Sequence, residues 1–342
     1  MIKTTKKTEG LKKSSHLEAP PIERNLSSAR NRRLRLRAAW MYFIEEMTQQ
    51  DIAVRLGVGR VTVVRLLSDA RDRHEIKFSI QSDLPECVSL ERELEQRFHL
   101  TEAIVVPLTN PQADATKSIG ASTGLYLSNF VRPGMKIGVG WGRTLIESLR
   151  YIHEIPLADM SVVSLLGGIT RAKRFNPSEF AWRFSSLFQA ECYLMPAPAI
   201  VDTPETRQSL IEQCGLGDGF EHAKTLDAVL ISVGNLDPAG TAYRDGFVSD
   251  ELRLSMIEHG AVGEMLFHYF DVQGRVIDHP IHDCVMAIPM STLCQVPERI
   301  MVAGGDDKAI AMLGALRLLK PTVLITDEAA AAQILKLDNA TA

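Results

Sequence analysis

Residues 135–145 read MKIGVGWGRTL, and the fold of the larger part of the chain is legible in them. A β-rich run over 135–139 enters glycines at Gly138, Gly140 and Gly142, with Trp141 inside the turn. Arg143 and Thr144 then open a helical pattern. Glycines at a strand-to-helix turn let backbone N–H groups face an anion, and the start of a helix adds partial positive charge. Thr144 offers a hydroxyl donor and Arg143 a charge-assisted pair. The spacing is neither a Walker loop nor G-x-G-x-x-G, so it implies no nucleotide. A tight turn that holds no ligand is the alternative reading.

The same alternation continues outward. Apolar or β-rich runs fall at 103–107, 161–166, 227–233, 264–270, 299–302 and 322–325, and helical patterns at 113–130, 144–153, 177–190, 250–259 and 307–319. This order predicts an α/β domain over 101–342 with a largely parallel sheet and helices on both faces. Ligand groups in such sheets gather at the carboxyl ends of strands. Three further glycine turns follow strand-like runs: Gly167-Gly168, Gly234-Asn235, and Gly304-Gly305-Asp306-Asp307-Lys308. The last opens a helix, with Lys308 in its first turn. A lysine there opposes the helix dipole unless something negative is near. A bound phosphate resolves that conflict, and so do Asp306 and Asp307. Hydroxyl selectivity is expected from the turns at 167–170 and 234–237.

Other chemistries find less support. His279-Pro280-Ile281-His282-Asp283-Cys284 lacks zinc spacing and a second ligand pair, and reads as a polar turn into a strand over 285–288. There is no G-x-S-x-G elbow for a serine nucleophile. Five cysteines contain no C-x-x-C pair and read as reduced thiols of a cytoplasmic protein. No apolar run approaches the ~20 residues that cross a bilayer, nor signal-peptide length at the start. Neither a metal nor a cofactor is expected, and no membrane partner.

The amino-terminal part differs in kind. Residues 1–78 carry 17 Lys+Arg against 9 Asp+Glu, net +8, and the remainder 21 against 33, net −12. A basic head on an acidic body suits a protein that offers phosphates one end only. Residues 47–68, MTQQDIAVRLGVGRVTVVRLLS, read as a helix-turn-helix. Thr48 is the N-cap and Asp51 reaches back to it. Ile52, Ala53 and Leu56 form an inward face, Gly57 turns the chain through positive φ, and Gly59 starts a second helix that buries Val63, Leu66 and Leu67. Thr48, Gln49, Gly59, Arg60, Val61, Thr62 and Arg65 are the candidate DNA contacts. A helical hairpin that only packs is the competing reading. Before it, 30–46 predicts a helix with Leu36, Ala39, Trp40 and Phe43 on its core face. Residues 1–29 read as a disordered basic arm. The order is thus an arm at 1–29, an all-α helix-turn-helix domain at 30–80 expected to finish as a short strand or wing, a hinge at 82–85, and a linker or first domain helix at 81–100 carrying Leu90, Leu94 and Phe98.

Several motifs, in one order, resemble the SorC/DeoR-type sugar-responsive bacterial transcriptional regulators: RAAWMYFIEEMTQQDIAVRLGVGRVTVVRLL, GVGWGRTL, LLGG, MPAPAIV, ISVGNL, EMLFHYFDVQGRVID and AGGDDKAIAMLGAL. The head and EMLFHYFD are most similar to regulators of erythritol and related polyol catabolism. The resemblance implies an effector domain similar to sugar-phosphate isomerases and glucosamine-phosphate deaminases, assembly as dimers or tetramers, double-stranded operator DNA as partner, and a phosphorylated sugar or polyol as effector. It assigns the phosphate loop to Gly138–Thr144 and the basic residue to Lys308, and adds Glu264 and Asp271. Gly59 departs from the Ser or Thr common in relatives. The rival is an isomerase or deaminase on the same fold. Those deaminases carry a histidine in a Gly-x-Gly-x-Asp-Gly-His turn, and SVGNLDPAG has none, which favours a sensor. A large domain serving only to oligomerise is a third reading.

Overall fold

The computed structural model describes residues 21–73, 75–76, 85–109, 114–169, 176–244 and 248–341. The arm over 1–20, the end of the expected wing at 77–80, most of the expected hinge and Thr170 lie outside them. The chain divides into two compact units, Met1–Ile80 and Gln81–Ala342.

Three helices make the described part of the smaller unit: α1 (Pro21–Phe43), α2 (Gln49–Leu56) and α3 (Arg60–Asp72). Because α1 begins at Pro21, the last part of the stretch expected to be an irregular arm is helical. Thr48 caps α2, its Oγ1 accepting the Asp51 N–H at 3.2 Å and donating to Asp51 Oδ2 at 2.6 Å, a cap worth about 1 kcal/mol. Gly57 ends α2 at φ 65°, and its N–H returns to the Ala53 and Val54 carbonyls. Ala38, Ala39 and Met41 of α1 pack on Ile52 and Ala53 and on Val63, Leu66, Leu67 and Ala70.

The core face of α1 is therefore rotated from expectation. Trp40 is 59% exposed and Leu36 38%, while Arg35 is buried. The cause is an ion pair: both Nε and Nη2 of Arg35 donate to the Glu75 carboxylate at 2.5 Å, and small Ala38 and Ala39 fill the space beside α3. Arg35→Ala removes two charge-assisted hydrogen bonds from the Glu75 carboxylate, which keeps Arg32 at 3.7 Å, and should cost the helical unit about 1.5–3 kcal/mol, read as an earlier first transition in denaturant melts of the full chain. The Arg35 hydrogen bonds hold the Glu75 carboxyl below the usual carboxylate range, against its burial. A depressed folded-state pKa gives stability that is complete above the unfolded value and lost as pH falls through the folded one, so the Arg35→Ala defect should shrink in acid.

The larger unit carries β1 (Glu102–Val106), β2 (Lys136–Val139), β3 (Ser161–Ser164), β4 (Glu191–Tyr193), β5 (Ala228–Ile231), β6 (Gly234–Asn235), β7 (Gly263–Met265), β8 (His268–Phe270), β9 (Glu298–Val302) and β10 (Val323–Asp327). Its helices are α4 (Pro85–Phe98), α5 (Thr116–Phe130), α6 (Arg143–Ser148), α7 (Pro177–Phe188), α8 (Pro204–Gln213), α9 (Gly217–Ala223), α10 (Thr241–Arg244), α11 (Asp250–Glu258), α12 (Met290–Leu293), α13 (Ala309–Leu319) and α14 (Glu328–Thr341). Seven strands form one sheet in the order β1-β10-β9-β5-β2-β3-β4, every pairing parallel. β6, β7 and β8 form a small antiparallel sheet.

Strand alternation sorts the core into two layers. Val229, Ile231, Met301 and Leu324 point into one apolar cluster with Leu94 of α4, Leu313 of α13 and Ile334 of α14. Ala228, Leu230, Ile300 and Ile325 point into the other with Ile119 of α5, Leu145 of α6 and Phe184 of α7. Helices thus cover both faces, as all-parallel sheets require. α4 belongs to this unit rather than to a linker: Cys87 and Leu94 are buried in its core, and its Glu91 and Glu95 carboxylates accept the Val105 and Ala103 N–H groups of edge strand β1 at 2.8 and 3.0 Å. Those N–H groups would otherwise face a free edge.

Other expectations change. The run over 264–270 is a hairpin, β7–β8, not one strand. The stretch at 285–288 makes single bridges from Val285 to Ile200 and Ala287 to Leu166 after a 3-10 turn at Pro280–Asp283. The Ala-rich tail is α14, with Ala330, Ala331 and Ile334 fully buried. Among the described residues no helix is long and apolar enough to cross a membrane.

The chain reverses direction at one place in the sheet. From β2 it moves to β3 and β4, then returns to β5 on the other flank of β2 and proceeds to β9 and β10. Loops leaving the carboxyl ends of β2 and β5 diverge there and open a crevice.

Candidate functional site

A cavity of about 370 Å³ occupies that crevice, within the size range of small-molecule sites. Three loops line it: Trp141–Thr144 after β2, Ser232–Asn235 continuing to Ala242 after β5, and Asp307–Lys308 after β9, joined by Glu264 of β7.

The β2 loop enters through Gly142, whose φ of 146° is open to glycine. Thr144, in the first turn of α6, is buried, and Arg143 is half-buried. Across the crevice, β6 pairs with β7 so that Gly234 stands opposite Glu264. A side chain at 234 would collide with Glu264 Oε1, so the glycine is what admits the carboxylate. Burial pushes the Glu264 carboxyl up, opposed by the Phe267 N–H and by Lys308. Its Oε2 accepts that N–H at 2.9 Å.

This bond secures an unusual turn. Leu266 and Phe267, at φ 54° and 61°, form the two-residue loop between β7 and β8, a role for which Asn-Gly is the favoured sequence. Bulky residues in the left-handed region cost about 1–2 kcal/mol each. Burial offsets that cost, since both side chains are almost fully enclosed and the Phe267 ring meets Trp141 at 5.8 Å. A strained turn thus forms part of the cavity's support.

The third loop is held from below. Buried Asp327, ending β10, accepts the Gly305 N–H at 2.7 Å and the Ala329 and Ala330 N–H groups at 3.0 Å. Asn235 Nδ2 donates to Asp307 Oδ2 at 3.0 Å. Lys308 ends a 3-10 turn, Asp306–Lys308, and caps α13, rather than lying in the helix's first turn. Burial pushes its ammonium pKa down, Asp307 opposes this, Arg143 adds to it, and Glu264 and Asp114 oppose it. Two cations from separate loops therefore face one cavity, and among the described residues neither is in an ion pair.

Of the residues expected at the site, Trp141, Gly142, Arg143, Thr144, Gly234, Asn235, Glu264 and Lys308 line the cavity. Gly138, Gly140, Gly167, Gly168 and Asp271 do not. A Cβ on Gly138 would press on Leu165 and Leu226 at 2.7 Å, so it is a packing glycine. Gly140 extends the sheet ladder, its N–H donating to the Leu230 carbonyl at 2.8 Å, and the Gly167 and Gly168 N–H groups donate to Met286 and Ala197 carbonyls. Asp271 closes the turn after β8: it accepts the Gln273 and Arg275 N–H groups and pairs with the Arg275 guanidinium at 2.8 Å. Asp237, in the turn 234–237 expected to supply hydroxyl selectivity, lines the cavity too, and Ser232, Gly240 and Asp307 line it without having been singled out as ligand groups. Their only sequence signal was position after a strand.

In the smaller unit Arg60, Val61 and Arg65 are exposed on α3 opposite its buried face, Val61 at 83%. Thr62 and Gln49 are half-buried, Thr48 is engaged with Asp51, and Gly59 is the N-cap of α3 without a side-chain cap.

Comparison with known proteins matches residues 82–336 to a family described as "Putative sugar-binding domain". The chain belongs to this sugar-binding family of transcriptional regulators. It is 29% identical to the erythritol catabolism regulatory protein EryD of Brucella abortus, over 90% of this chain and 97% of that protein. Identity to the transcriptional regulator LsrR of Klebsiella pneumoniae is 31%, over 88% and 92% respectively. The full-length sorbitol operon regulator SorC of Klebsiella pneumoniae superposes with a TM-score of 0.71 at 25% identity, covering 89% of this chain and 98% of that one. These relatives are regulators, not enzymes, which disfavours the isomerase or deaminase reading. In this SorC-type chain the turn after β5 brings Gly234, Asn235 and Asp237 to the cavity.

Proposed function

We propose that this chain controls transcription of a sugar or polyol catabolic operon in the cytoplasm. It binds operator DNA through the helix-turn-helix of residues 30–80 and a phosphorylated sugar or polyol in the cavity at 101–342. The observation that carries the effector assignment is the convergence of Arg143 and Lys308, cations without an ion pair among the described residues, on loops from the strands flanking β5. Like charges gathered in a partly desolvated cavity favour a dianion between them. N–H groups of the first helical turn lack intrahelical acceptors, and with the Thr144 hydroxyl they supply donors to the same group. Asp237, Asp307, Asn235 and Glu264 suit the hydroxyls of a sugar or polyol, because carboxylates and amides accept what hydroxyls donate.

DNA recognition rests on Arg60, Val61, Thr62 and Arg65 of α3, with Thr48, Gln49 and Gly59 near its amino end against the backbone. A single such motif covers one half-site, so the chain acts as a symmetric oligomer on a palindromic or repeated operator.

The test uses DNA fragments selected from the source genome by the purified chain. Anisotropy titrations on those fragments should show an affinity that changes at least tenfold when the right sugar phosphate is added. Turnover of the sugar phosphate would instead establish an enzyme, and selection of no fragment would remove the operator assignment.

A further inference from the structure

The outward face of α3 carries an apolar patch that the core of its unit does not use. Val61 is 83% exposed and Val64 46%, whereas Val63 between them is fully buried. Arg60 and Arg65 are exposed beside them. Residues three and four apart share one helix face. Arg60 therefore adjoins Val64, Val61 adjoins both Val64 and Arg65, and the four form one patch with a cation at each end. Among the described residues neither arginine is in an ion pair. Water does not favour this arrangement. Valine is a poorer helix former than alanine because its branched side chain is stiff, and its exposed methyls stabilise nothing until they are covered. The same stiffness means that covering them sacrifices little rotamer freedom.

We infer that Val61 and Val64 pack on the 5-methyl groups of two adjacent thymines in each operator half-site, an inference that rests on the operator reading of α3. Charge chooses the partner. An apolar protein surface would leave two guanidinium groups without anions, whereas DNA surrounds its apolar points with phosphates and base acceptors that arginine can take. In the major groove the thymine methyl is the apolar group that marks one base pair from the others. Spacing agrees as well. Three residues advance about 4.5 Å along a helix, and consecutive bases of one strand lie about 3.4 Å apart, so the two valines reach neighbouring bases. Arginine at 60 or 65 can select guanine or hold a phosphate, but it does not tell thymine from cytosine. Val61 and Val64 supply that distinction, which makes Val64 a specificity-determining residue beside those already assigned.

Replacing thymine by deoxyuridine tests this, because it removes the methyl and leaves base pairing intact. The DNA is the set of fragments that the purified full chain selects from the source genome, substituted one thymine at a time and titrated by anisotropy at one salt concentration. The expected result is two adjacent positions per half-site where uracil weakens binding about fourfold each, the equivalent of ~0.8 kcal/mol for one buried methyl. Other thymines should stay within twofold. Val61→Ala should remove the sensitivity at one of the two positions and Val64→Ala at the other, as a double-mutant cycle requires of a direct contact. Each variant should melt as wild type does, since neither side chain belongs to the core of the helical unit. Selected fragments without such positions would overturn the inference, and so would uracil sensitivity that persists in both variants. A Val61→Ser/Val64→Ser chain that binds DNA as wild type does but melts earlier would also overturn it, because protein would then cover the patch. Those three results leave the operator reading standing, whereas selection of no fragment would remove that reading and the inference together.

Discussion

Replacing Lys308 by methionine should abolish the response to the effector while leaving effector-free DNA binding within about twofold of wild type. The ammonium faces the cavity from the β9 loop, and methionine keeps most of the stem's volume. A charge-assisted hydrogen bond to a phosphate contributes about 1.5–3 kcal/mol, so affinity for the sugar phosphate should fall roughly 10- to 150-fold. The 3-10 turn should survive, because the Gly305 N–H to Asp327 bond and the Asn235–Asp307 bond do not involve the Lys308 side chain. Isothermal titration measures the affinity loss, and anisotropy on operator DNA measures the retained binding. A variant that binds and responds at wild-type effector concentration would make Lys308 a structural residue.

Arg60→Ala and Arg65→Ala should each weaken specific DNA binding by about 1–3 kcal/mol if the guanidinium makes a bidentate base contact. Both side chains are exposed, on the side of α3 away from Val63, Leu66 and Leu67, so neither change should alter melting appreciably. A phosphate contact behaves differently: loss would be uniform across sequences, with a shallower salt dependence. Measuring both variants on selected and scrambled fragments at two salt concentrations separates the cases. Unchanged affinity in both variants would take α3 out of the interface.

The alternation of strand and helix was legible because each parallel strand is buried on both faces and writes a continuous apolar run, as in Ala228–Ile231. The sensing loops were legible for a related reason, since glycine clusters after such runs mark where the backbone turns. What sequence could not give was which glycines turn toward a ligand. Gly138 and Gly167 look like Gly142 and Gly234 in the chain, yet are required by neighbours at 2.7 Å that only the packed structure supplies. The β7–β8 hairpin was hidden because its turn uses Leu266 and Phe267, whose cost is offset by tertiary burial. The face of α1 was misread because hydrophobicity alone put Trp40 inward. The Arg35–Glu75 pair, made across 40 residues, turned an arginine in and the tryptophan out. Asp271 carried no local sign that its oxygens were committed to Gln273 and Arg275.

The most direct test of a cavity that senses a phosphorylated sugar or polyol is the melting temperature of the full chain against a panel of four- to six-carbon sugar and polyol phosphates. Each is paired with its unphosphorylated counterpart, and wild type is run beside Lys308→Met. A ligand at 100 times its dissociation constant stabilises the folded state by about 2.7 kcal/mol, a rise of roughly 5–10 °C for a domain of this size. The predicted result is such a rise for at least one phosphorylated compound, none for its unphosphorylated partner, and none in Lys308→Met. An equal rise with the unphosphorylated compound, or one that persists in Lys308→Met, would contradict it.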